Sequence, residues 1–113
     1  MRFTKHGNRY QVSRITGNQD NILGVSFTES EANIQVIEWV VKCDIKEVKK
    51  TSPDEVLQQV LLGLKDINEK LGKNYKLSKV YFVPTEDSSH FIYKYLIAEI
   101  VKRVDSNSEF ETL

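Results

Sequence analysis

The segment TSPDEVLQQVLLGLKDINEKLG, residues 51–72, constrains the fold most, because it carries its own start, its own stop and one apolar stripe. Ser52 is placed as an N-cap, Pro53 suits the first helical turn, and Glu55 completes an S-x-x-E capping box. Asp54 and Glu55 also sit where the positive end of a helix dipole favours acids. Leu57, Val60, Leu64, Ile67 and Leu71 recur at three- and four-residue steps and form one face of a helix. Gly72 stands where a left-handed glycine would end it. Gly63, inside the helix, costs up to about 1 kcal/mol relative to Ala, and close approach of the helix to a sheet would offset that. A helix apolar on one side needs a second layer to lie on.

The strands of that layer flank the helix. NRYQVSRIT (8–16) is rich in β-branched and aromatic residues and reads as a strand, and GNQDN (17–21) reads as a turn. ILGVSFT (22–28) alternates, with Leu23, Val25 and Phe27 on one face and Gly24 and Ser26 on the other. ESEAN (29–33) has the length of a hairpin connection. IQVIEWVVKC (34–43) is a third strand. Its Ile37, Trp39, Val41 and Cys43 share one face, and Ile34, Val36 and Val40 share the other with Glu38, which suits a central or doubly covered strand. Short connections make these three strands an antiparallel meander. DIKEVKK (44–50) either extends the third strand or forms a loop. LSKVYFVP (77–84) is a hydrophobic strand stopped by Pro84. Residues 89–104 form a second helix that buries Tyr93, Leu96, Ile97, Ile100 and Val104. Residues 105–113 are polar and acidic and are expected to fray.

The order β-β-β-α-β-α predicts an α/β (α+β) fold: a two-layer sandwich, with a mixed four-stranded sheet packed by two helices, in a single domain spanning 1–113. The crossover through the first helix places the fourth strand parallel to the third, and by count to the first.

Composition narrows the function classes. No run of apolar residues is long enough to span a membrane, and the basic start MRFTKHGNRY lacks the apolar stretch of a secretory signal. The lone Cys43 makes no internal disulfide, suits a reducing cytoplasm and reads as a small buried hydrophobe. The formal net charge is +0, but it is unevenly placed. Residues 1–19 carry Arg2, Lys5, Arg9 and Arg14 and no acid; residues 20–55 are net acidic, 56–104 net basic, and 105–113 add only acids. A general nucleic-acid binder would carry a dominant basic excess, so direct nucleic-acid binding is not expected. Alternating blocks suit polar patches for a protein partner.

Glu86, Asp87, Ser88, Ser89 and His90 stand in a row and invite a hydrolytic interpretation. A Ser–His–Asp triad needs side chains converging in space, and no G-x-S-x-G surrounds these serines. Asp87 and Ser88 instead suit caps of the second helix. His6, His90 and Cys43 show no metal-ligand spacing, and the glycines form no phosphate-binding pattern, so neither a metal nor a cofactor is expected. A three-stranded meander followed by helix and strand is similar to the core of the PD-(D/E)xK nuclease family, which needs an acid on the second strand and (D/E)-x-K on the third. Asp20 and Glu38 stand loosely at those places. Glu38 is followed by Trp39 and Val40, so the lysine is missing, and Lys42 lies one pleat too far. Glu38 alternatively pairs with a cross-strand Arg such as Arg14. Phe91, Tyr95, Ala98 and Lys102 lie opposite the buried stripe of the second helix, which is then either sandwiched or offers an aromatic patch to a partner.

The stretch GLKDINEKLGKNYKLSKVYFVPTEDSSHFIYKYL, residues 63–96, combines a capped helix, a buried strand, a Val-Pro followed by an acidic-Ser cap, and an aromatic-rich last helix. In this it resembles small bacterial immunity proteins of contact-dependent growth inhibition systems. The resemblance implies a cytoplasmic, non-enzymatic protein that binds a cognate toxin domain, usually a nuclease, and occludes its active site. On that expectation Asp20, Glu29, Glu31, Asp44, Glu47, Glu86 and Asp87 supply acids that match a basic nuclease site, and Phe91 and Tyr95 supply the anchor. Two alternatives stay open: a generic interaction domain, homodimeric through the second helix, and a degenerate nuclease fold.

Overall fold

Gly7, at φ 60°, turns the chain back between β1 (Arg2–His6) and β2 (Arg9–Ile15). His6 pairs with Arg9, so the loop is the two residues Gly7 and Asn8, and a positive φ at the first of them is what glycine supplies at least cost. The computed structural model describes residues 1–15, 20–30, 33–39, 51–84 and 91–112. β1 was not expected, because Phe3 is the only apolar residue in RFTKH and no alternation marks it. β3 (Asp20–Thr28) pairs antiparallel with β2, placing Leu23 opposite Val12 and Val25 opposite Tyr10. β4 (Gln35–Glu38), α1 (Pro53–Leu71), β5 (Lys76–Phe82), α2 (Ile92–Asp105) and β6 (Glu111–Thr112) follow.

The sheet order is β4-β5-β3-β2-β1-β6, six strands where four were expected. β4 is parallel to β5 as the crossover requires, and β5, antiparallel to β3, runs parallel to β2. The meander is corrected: β5 lies between β3 and β4. A connection of a few residues reaches about 3.3 Å per residue, ample to step across two strand spacings of about 4.8 Å. Short length therefore did not force β3 and β4 to be neighbours. β5 takes the inner place because Leu77, Val80 and Phe82 are buried along its length. Glu38 consequently faces Phe82 across the ladder. Arg14, on β2, is not its cross-strand neighbour. Residues 40–50, including Val41, Cys43 and the segment left open between strand and loop, lie outside the described residues.

α1 starts and stops as its local signals dictate, but Val56 rather than Leu57 opens its buried stripe, and Leu71 is half-buried. Ser52 accepts a hydrogen bond from the Glu55 N–H at 3.2 Å, and Gly72 closes the helix at φ 65°. Val56, Val60, Leu64 and Ile67 are buried against Val12, Leu23, Val25, Val80 and Phe82 of the sheet and Leu96, Ile97, Ile100 and Val101 of α2. Gly63 serves a helix–helix contact rather than the expected helix–sheet one: a Cβ there would lie 2.5 Å from both Ile97 Cγ2 and the Lys94 carbonyl oxygen.

α2 begins three residues later than expected, and its cap is not Asp87 or Ser88. The N-cap position is Phe91, without a side-chain cap. The Tyr93 N–H donates instead to buried Gln59 Oε1 of α1 at 3.0 Å, so the first turn of one helix is satisfied by the other. Val104 is half-buried, whereas Ile92 and Val101 join the buried stripe.

The segment expected to fray instead carries β6, which pairs with β1. Phe110 packs edge-on against Phe3 at 5.9 Å and Tyr10 at 5.0 Å, and the aromatic row continues through Phe27 to Tyr75. The Arg103 guanidinium lies 4.4 Å from the Phe3 ring centre, and Arg2 pairs with Glu111 at 2.8 Å.

Gly63→Ala is expected to lower stability by about 1–3 kcal/mol in urea denaturation. The added methyl meets backbone that cannot give way without moving a helix, which outweighs its better helix propensity. Unchanged or increased stability would count against the close crossing.

Candidate protein-binding surfaces

α1 and α2 meet at Gly63, and the same approach leaves an open groove of about 390 Å³ on their outer side, with Gly63, Ile67 and Ala98 among its lining residues. Phe91 and Tyr95 also line it, 62% and 45% exposed. The two aromatics foreseen as anchors are thus brought together and face outward. Lys94 and Asp66 pair between the helices at 3.2 Å. Both are solvated, so the pair is worth at most about 1 kcal/mol. Phe91 has φ 52°, a left-handed conformation that a bulky side chain adopts at a cost of about 1–2 kcal/mol. Leu61 and Leu62 are exposed on α1.

The acids are less fully placed. Asp20 opens β3, where its backbone pairs with Ile15. Glu29 is exposed just beyond the end of β3. Glu31, Asp44, Glu47, Glu86 and Asp87 lie outside the described residues, as do Ser88, Ser89 and His90. β5 separates the strands of Asp20 and Glu38, so the acids of the nuclease-like arrangement are not on neighbouring strands. Among the described residues no three His, Cys, Asp or Glu side chains gather at metal-binding distance. Among them, too, no helix is long and apolar enough to cross a membrane.

A second surface was not foreseen. Both helices pack on the face of Val12, Leu23, Val25, Val80 and Phe82. The opposite face carries Arg9, Gly24, Trp39 and Tyr81, from four different strands or their ends. The Arg9 guanidinium lies 4.4 Å from the Trp39 ring centre and 5.3 Å from that of Tyr81, and the two rings are 5.8 Å apart at 45°. A Cβ on Gly24 would stand 3.3 Å from Tyr81 Cβ and 3.4 Å from Arg9 Cδ, so the glycine lets both side chains lie close over β3. That glycine was the available signal, since Gly within an alternating strand marks a close approach. Trp, Tyr and Arg are the residue types that dominate protein interfaces.

At one end of the sheet, Asn68 holds the backbone of Tyr75 on both sides, accepting from its N–H at 3.0 Å and donating to its carbonyl at 3.1 Å. The Tyr75 hydroxyl donates to Asp105 Oδ1 at 2.8 Å. Burial first, then this hydrogen bond and the negative charge of Asp105, raise Tyr75 above the ordinary tyrosine value of 10.0. An open cavity of about 690 Å³ beside it is lined by Lys5, Tyr10, Phe27 and Glu29 among others.

Comparison of the chain with protein-family models, curated proteins and solved structures finds no match.

A raised pKa means that the fold favours the protonated phenol. Its contribution is therefore intact below the unfolded tyrosine pKa and lost as pH rises through the folded one. Tyr75→Phe is expected to cost about 1 kcal/mol at neutral pH and to flatten part of the alkaline fall in stability. Urea midpoints measured from neutral pH to above the tyrosine range check this; an alkaline fall as steep in the variant as in the parent would assign it to other groups.

Proposed function

We propose that the chain is a toxin-neutralising protein of the cytoplasm, which binds a toxin domain stoichiometrically and occludes its active site. The observation that carries this is the pair Phe91 and Tyr95, two large aromatic side chains held outward over an apolar-floored groove. Aromatics in such a setting act as anchors, because they bury much area and lose little side-chain entropy on binding. The left-handed backbone of Phe91 supports the same view. Strain of this kind persists where a bulky side chain is needed at that place. The resemblance to immunity proteins supplies the class of partner, and the segregated charge suits steering toward it. The acids at Asp20, Glu29, Glu31, Asp44, Glu47, Glu86 and Asp87 remain part of the proposal as the complement of a basic nuclease site. Self-association is the second interpretation, favoured by exposed Leu61 and Leu62 on the partner helix; sedimentation shows whether the free chain dimerises.

The test is co-expression with a toxin domain encoded beside it, followed by one-to-one titration of toxin activity. Phe91→Gly relieves the strained backbone and is expected to keep or raise stability, by up to about 1 kcal/mol. It should nevertheless weaken inhibition at least tenfold, about 1.4 kcal/mol. Tyr95→Ala should weaken inhibition similarly without unfolding. Full inhibition by the Phe91→Gly, Tyr95→Ala double variant would sink the proposal.

A further inference from the structure

We infer that the helix-free face of the sheet is a second docking surface, and that Arg9 receives a carboxylate there from an acidic segment of the protein partner. The inference rests on the interpretation of the chain as a protein-binding module and names the chemistry of one contact. Stacking over Trp39 and Tyr81 engages the flat face of the guanidinium, which leaves its in-plane N–H donors for an acceptor. Nε of Arg9 is buried without a hydrogen-bond partner, so the terminal Nη groups are the donors that a partner reaches, and among the described residues no carboxylate pairs with the guanidinium. Among the described residues, some other cations are engaged: Arg2 by Glu111, Lys94 by Asp66, and Arg103 through Nε to the Glu109 carbonyl.

An oriented fork with unused donors matches a planar two-oxygen acceptor. The surroundings share that preference. Register places Lys79 opposite Ser26, the residue paired with Arg9. Lys79 is exposed, and so is Gln35 beside it on β4. Gln11 and Ser13 add neutral hydrogen-bonding groups along β2. Ile37 and the two rings give an apolar floor. The acid described on this face is Glu111, on the edge strand β6 and paired there with Arg2; beside Arg9 the neighbours are Lys79, Gln35 and Gln11, so the charge complement at Arg9 is an anionic partner. A net charge of +0 over the whole chain favours a few carboxylates over the dense phosphates of a nucleic acid.

Trp39 is the only tryptophan of the chain, so its emission reports on this site without a label. The folded full-length chain is titrated with a Glu-rich peptide, its Gln-substituted counterpart, and a single-stranded oligothymidylate. The acidic peptide is expected to shift Trp39 emission saturably, and added salt to weaken it. Arg9→Lys, which keeps the charge and loses the fork, and Arg9→Gln should each weaken binding roughly tenfold or more. Lys79→Glu, an exposed change that disturbs no packing, should weaken it too, and supplies the result should either Arg9 variant fold poorly. Phe91→Gly should leave this titration unchanged, so failure here is distinct from failure of the helix groove. No saturable shift, equal binding by all three variants, or tighter binding of oligothymidylate than of the acidic peptide would each overturn the inference.

Discussion

The close crossing of α1 and α2 at Gly63 is the constraint on which the rest of the molecule depends. With hydrogen in place of a Cβ, the α1 backbone lies against the Lys94 carbonyl and Ile97. That closeness carries Gln59 to the Tyr93 N–H, so the start of α2 is set by a side chain of α1. The joined helices then present Val56, Val60, Leu64 and Ile67 together with Leu96, Ile97, Ile100 and Val101 to the sheet. Burial of that surface, at about 25 cal/mol per Å² of apolar area, holds the layers together. On the outer side the same crossing leaves the groove beside Phe91 and Tyr95.

The sheet divides the remaining chemistry between its faces. The helix side is aliphatic at its centre and becomes aromatic toward one end, where Tyr75, Phe27, Tyr10, Phe110 and Phe3 form a row covered by Arg103. This row anchors the C-terminal strand against β1. The other side carries Arg9 over Trp39 and Tyr81. The two faces of the sheet thus differ in character, one closed by the helices and the other open with a cation stacked on two rings.

Legibility in the sequence followed the range of each interaction. The cap at Ser52, the stripe of α1 and the stop at Gly72 lie within one helix, so residues 51–72 could be interpreted from their own spacing. The alternation of Leu23, Val25 and Phe27 was legible for the same reason. The place of β5 was not, because loop length bounds reach and does not choose a neighbour. β1 and β6 were missed because Phe3 and Phe110 are single apolar residues in polar stretches, and each is stabilised by the other. At the candidate surfaces, Phe91 and Tyr95 were found by helical spacing. The Arg9–Trp39–Tyr81 cluster was missed because its members come from strands or strand ends far apart in the chain, with Gly24 the sole local sign.

By itself, then, the sequence determined which segments are helix or strand in the middle of the chain and which of their faces are buried, since a turn or a pleat sets both over a few residues. Only the tertiary structure decided which strands are neighbours, where α2 begins, and which side chains meet on the helix-free face. Those outcomes depend on contacts between distant residues, such as Gln59 with Tyr93 and Arg9 with Trp39, and no local period encodes them.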